Sequence, residues 1–91
     1  MRQIEQCMIN ALEQGKNWKF ANTAVSFNSA GEARIYLHGH RIASMNQWGS
    51  ITPDLDTLRN WPTPTTKSRL RALKVNVYTK NFITYVDDEA I

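Results

Sequence analysis

Between Trp61 and Lys74 the chain reads Trp-Pro-Thr-Pro-Thr-Thr-Lys-Ser-Arg-Leu-Arg-Ala-Leu-Lys, with four cations and no acid in its last eight residues. Lys67, Arg71 and Lys74 recur at i, i+4 and i+7, so a helix brings them to one face and leaves Arg69 on the far flank. A positive edge on a rigid element suits a polyanion, because Arg and Lys hold phosphates without reading bases. The Thr-Thr-Lys-Ser segment adds hydroxyls and first-turn N–H groups at the positive end of the helix. A solvated helix face, whose C-terminal cations complement the dipole, accounts for the same residues. Both readings stand on the sequence alone.

Other residue types with chemical potential are sparse. His38 and His40 stand at i, i+2, a spacing that shares a face on a strand, but two ligands do not complete a metal site. Hairpin structure is the expected role of this pair, and no metal or other cofactor is expected. His40 followed by Arg41 extends a positive patch at lower pH. Arg34, Tyr36, His38 and Arg41 suggest a basic, aromatic sheet face of the kind that suits single-stranded nucleic acid, without the repeated aromatics of an RNA-recognition fold. Cys7, set in an apolar helical pattern, reads as a small buried hydrophobe. Trp18, Trp48 and Trp61 are too many for so small a core to hide, so each is expected half-buried at its edge. No Ser, His and Asp arrangement with a local signature and no glycine-rich phosphate loop occurs, and the reading is not an enzyme.

The elements that must position these residues follow from periodicity. Residues 2–14 form an amphipathic helix with Ile4, Met8, Ala11 and Leu12 inward and Gly15 closing it. Residues 16–21 read as an aromatic connector. Alternation over Val25 and Phe27, then Ala33, Ile35 and Leu37, predicts two strands. Gly39-His40 fits a two-residue hairpin loop. The return strand, 41–48, is irregular, because Ile42 and Met45 are three apart, and a bulge or an early strand end is expected there. Asp54 or its neighbour is a candidate cap for a single helical turn around Leu55 to Arg59. Thr63 is placed as the N-cap of the basic helix, about 64–73, with Pro64 at its first position and Thr66, Leu70 and Leu73 inward. Two strands follow around a Lys80-Asn81 turn, then an acidic tail at 87–91. The order implies one α+β domain over 1–91: an antiparallel sheet of four or five strands with two main helices on one face.

Ninety-one residues bury about 60–65% of the unfolded surface, which leaves one thin core and little room for an enclosed cleft. The formal charge is +3, and Asp87, Asp88 and Glu89 make the preceding body more basic than that sum. The single cysteine excludes an internal disulfide and fits a reducing cytoplasm. No apolar stretch approaches the roughly 20 residues that span a bilayer, and Glu5 and Gln6 interrupt any signal-like run. A host-cell cytoplasmic protein without a membrane partner is the expectation.

The pattern Tyr36-Leu-His-Gly-His-Arg-Ile-Ala43, followed by Trp61-x-Thr-x-Thr-Thr-Lys-x-Arg-Leu-x-Ala-Leu73, resembles a family of small, functionally unassigned proteins of tailed phages. Lys80-Asn81-Phe82 resembles that family's C-terminal turn, and Arg71 stands where the family usually has Asn. The resemblance runs from about Thr23 to Tyr85 and omits the N-terminal helix. It implies a phage or prophage accessory protein, a class that includes inhibitors of host machinery such as anti-CRISPR proteins. The expectation is therefore a non-enzymatic protein that binds and blocks a host nucleoprotein complex through the basic helix edge. A direct DNA- or RNA-binding regulator and a homo-oligomeric accessory protein are the alternatives. The residues placed at the interface are Lys67, Arg69, Arg71, Lys74, Arg34, Tyr36, His40 and Arg41.

Overall fold

The structure, a computed structural model, describes residues 2–91. Helix α1 (Gln3–Gln14) buries Glu5, Met8, Ala11 and Leu12 and ends at Gly15, whose φ of 66° lets its N–H return to the Ala11 and Leu12 carbonyls. An up-and-down antiparallel sheet follows, with strands β1 (Trp18–Phe20), β2 (Thr23–Phe27), β3 (Ala33–Leu37), β4 (His40–Met45) and β5 (Ile51–Pro53) in spatial order β1-β2-β3-β4-β5. Helix α2 (Leu55–Asn60) starts at Asp54, whose carboxylate accepts from the Thr57 N–H at 3.0 Å. Helix α3 (Pro64–Ala72) starts at Thr63, whose hydroxyl accepts from the Thr66 N–H at 3.1 Å, with Pro64 at the first position. A second sheet closes the chain: β6 (Val77–Lys80), β7 (Ile83–Val86) and β8 (Glu89–Ala90).

Alternation decides which sheet face is covered. Val25, Ile35 and Leu37 point inward and join Met8 and Leu12 of α1 and Leu70 and Leu73 of α3 in one core. The opposite face carries exposed Ser26 and Arg34, and α1 and α3 pack on the other side. The bulge lies in β4: Ile35 pairs with Ala43 and Tyr36 with Arg41, so Ile42 is the extra residue. That insertion lets Ile42 and Ala43, consecutive in sequence, both be buried.

Four local assignments differ from the sequence reading. Residues 18–20 of the connector are an edge strand, paired with β2 from Trp18 to Phe20. The hairpin loop is His38-Gly39, one residue earlier than expected, because both adopt positive φ (51° and 79°) and Leu37 then pairs with His40. The last hairpin turns at Asn81-Phe82 (φ 51° and 66°), which takes Phe82 out of the strand and exposes it fully. The acidic tail is itself a hairpin: Asp87 and Asp88, at φ 51° and 68°, turn Glu89–Ala90 back onto Tyr85 and Val86. Asn and Asp tolerate the left-handed region better than other non-glycine residues, which is why two of these turns fall there.

The C-terminal strands make their own sheet because of how α3 stops. Lys74 adopts φ 70°, its N–H bonds to the Arg71 carbonyl, and the Val75 N–H bonds to the Leu70 carbonyl at 3.0 Å. This Schellman closure reverses the chain and brings β6 beside α3. Leu70, with no exposed surface, sits where helix, main sheet and closure meet. Leu70→Ala is expected to cost about 2–5 kcal/mol. Urea unfolding monitored by circular dichroism checks this, and a loss below about 1 kcal/mol would contradict the packing.

Candidate nucleic-acid interface

The basic residues separate according to what accepts their hydrogen bonds. Arg69 does not belong to a solvent-facing edge: it is 3% exposed, donates from Nη1 to Glu5 Oε2 at 2.8 Å and from Nε to Thr23 Oγ1 at 3.1 Å. Ser68 Oγ donates to the same Glu5 oxygen at 2.6 Å, and Glu5 Oε1 accepts from the Arg2 N–H at 3.3 Å. The reason is angular. Thr66, Arg69, Leu70 and Leu73 recur at i, i+3, i+4 and i+7, so Arg69 lies within the inward stripe, not across from it. Glu5, Met8 and Leu12 hold the matching positions on α1. Each charged residue standing in line with an apolar stripe was the available signal.

Burial pushes the Glu5 carboxyl up, but the hydrogen bonds from Ser68, Arg69 and Arg2 and the Arg69 charge outweigh it and hold the group below its ordinary range. Arg41 and Arg59 are also matched by acids, at 3.2 Å to Asp54 and 2.8 Å to Asp56. The Thr57 backbone N–H first, with help from Arg41, holds Asp54 low despite its partial burial.

Lys67 and Arg71 behave differently. Lys67 Nζ donates to Thr79 Oγ1 on β6, and Arg71 Nη1 donates to the Val77 carbonyl at 3.1 Å. Both acceptors are neutral, so the two side chains are oriented and their charge is not cancelled. They stand one helical turn apart, about 6 Å along the axis. Lys80, next to Thr79 at the turn end of β6, is exposed and lies on the Tyr78 side of the strand, away from α3. Among the described residues none of these three cations forms an ion pair. Lys74 lies beyond the helix, and its left-handed conformation leaves it beside a groove between α1 and the β4–β5 loop.

Arg34, Tyr36 and Arg41 occupy the uncovered face of the main sheet, in cross-strand rows Lys19–Ala24–Tyr36–Arg41 and Ser26–Arg34–Ser44–Thr52. Tyr36 is half-buried. His40 points to the other side with its partner Leu37 and stacks on Trp61 at 3.9 Å between ring centroids. The helical strip and the sheet face therefore lie on opposite sides, and the eight candidate residues do not converge. His38 is in the turn, and the described residues contain no group of three or more His, Cys, Asp or Glu able to hold a metal. Trp18 is half-buried, Trp61 is covered on one side by His40, and Trp48 is 80% exposed instead of capping the core.

The buried pair predicts a mutational signature. Glu5→Gln leaves the Arg69 charge without a counterion and is expected to cost about 3–5 kcal/mol, whereas Glu5→Leu combined with Arg69→Met recovers most of that loss. Because the folded carboxyl titrates below its unfolded value, its contribution is full above the unfolded pKa and fades as pH falls through the lowered folded one. Chemical unfolding from pH 7 to 3 checks both points. A Glu5→Gln protein as stable as wild type would show that the pair carries no weight.

Residues 1–91 match the family model described as Kyanoviridae Gp96 protein, so the chain belongs to that phage protein family, whose function is unassigned. The match extends through α1, which the motif resemblance had omitted. No curated protein and no solved structure matches the chain. No helix among the described residues is long and apolar enough to cross a membrane.

Proposed function

We propose that this phage protein is a non-enzymatic inhibitor that docks on the nucleic acid of a host nucleoprotein complex and blocks it by occupancy, in the manner of an anti-CRISPR protein. The observation that carries the reading is the strip of Lys67 and Arg71 along α3, whose neutral acceptors on β6 orient both cations without neutralising them. Pre-oriented cations lose little freedom on meeting phosphates, and they hold a backbone without demanding a sequence. A direct DNA- or RNA-binding regulator is the second reading. It is favoured by the uncovered sheet face, where Lys19 and Arg34 flank the half-buried Tyr36 and have no ion-pair partner among the described residues.

Tagged protein recovered from host lysate, with and without nuclease, separates the two. A stable host complex supports the inhibitor, and nucleic acid alone, lost on nuclease treatment, supports the regulator. On single-stranded RNA and DNA the strip predicts a log–log salt slope of about 1.5, from two phosphate contacts. Lys67→Gln with Arg71→Gln removes both charges at positions outside the core, so stability is expected to change by less than about 1 kcal/mol. Affinity should fall and most of that slope should be lost. An unchanged slope removes the strip from the interface, and loss on Arg34→Gln instead moves it to the sheet face.

A further inference from the structure

The β4–β5 loop carries an exposed aromatic that neither the core nor the basic strip uses. Asn46 locks that loop: its Oδ1 accepts from the Trp48 N–H at 3.0 Å and the Ser50 N–H at 2.9 Å, and its carbonyl accepts from the Gly49 N–H at 3.0 Å. The backbone is thus fixed while the indole remains 80% exposed. A fixed loop presenting bare indole has already met much of the ordering cost of binding. Beside it runs a mainly apolar groove walled by Ile9 and Leu12 of α1, Ile51 of β5 and Leu73 at the end of α3. Two charges of opposite sign line the same groove, Glu13 on α1 and Lys74 at the Schellman closure, and neither forms an ion pair among the described residues.

We infer that this groove is the interface of a two-fold homodimer in which each Trp48 enters the partner's groove and each Glu13 pairs with the partner's Lys74. An indole and an apolar groove on the same patch are complementary to one another, which is what an isologous contact requires. The charges make the same argument: a patch holding one acid and one base is complementary to its own two-fold copy. Trp is also among the residues that most often dominate interface energetics. The groove lies off the Lys67–Arg71 strip, so the inference stands whether or not that strip binds nucleic acid.

The test is the mass of the full chain in solution, by light scattering after size exclusion from about 5 µM to 500 µM. The expected result is a reversible dimer. Trp48→Ser, at an exposed position, leaves the circular dichroism and melting of the monomer unchanged and weakens the dimer on the order of thirtyfold. Glu13→Lys and Lys74→Glu each weaken it, and the two together in one chain restore it. A wild type that stays monomeric at 500 µM overturns the inference. So does a dimer that Trp48→Ser leaves intact, or a double swap no stronger than the single changes. Binding of a different protein to the groove without self-association overturns it as well.

Discussion

A buried carboxylate held by a buried guanidinium organises this molecule. Glu5 and Arg69 are each 3% exposed and meet at 2.8 Å, joining the first helix to the third across 64 residues of sequence. Thr23 of the main sheet, Ser68 of the third helix and the Arg2 backbone N–H complete the set of partners. No buried side-chain polar atom among the described residues lacks a hydrogen-bond partner. Two charges removed from water cost several kcal/mol each, so the pair is tolerable only when both helices and the sheet arrive in one relative position. Apolar residues such as Met8 and Leu70 supply the driving force but accept sliding. The ion pair, with fixed donors and acceptors, does not.

That constraint also sorts the charges. Arg69, Arg41 and Arg59 are matched to carboxylates and act on the fold. Lys67 and Arg71 are matched to a hydroxyl and a carbonyl, which tie β6 to α3 and leave two units of charge facing outward. Counting basic residues in the helix therefore overstates what is available to a partner. The identity of the acceptor, not the exposure of the cation, separates the two groups.

The small second sheet shows how a thin core is extended. The left-handed Lys74 ends α3 and sends the chain back beside it, so Val77 and Val86 reach the core although their strands never pair with the main sheet. Its outer side carries Tyr78 stacked on Tyr85 at 5.1 Å. The hydrogen bond to Asp88 raises the Tyr78 phenol above its ordinary value and keeps it protonated as the donor. An acidic segment that looks like a free tail thus has a structural partner.

The amphipathic first helix, its glycine stop, the Thr63 and Asp54 caps, the bulge near Ile42 and the α+β class were all legible, because each depends on spacing within a few residues. Leu70 and Leu73 were legible as core for the same reason. Turn positions at His38-Gly39 and Asn81-Phe82 missed by one residue, since cross-strand pairing sets the register and a single sequence does not contain its partner. The buried fate of Arg69 was decided elsewhere again. Its place in an apolar stripe was visible, but only the arrival of Glu5 from the other end of the chain makes burying that charge affordable. The same holds for the candidate site. Sequence determined that cations cluster on α3, while the tertiary structure decided which were neutralised, because the acceptors come from β2, β6 and α1 and not from the helix itself.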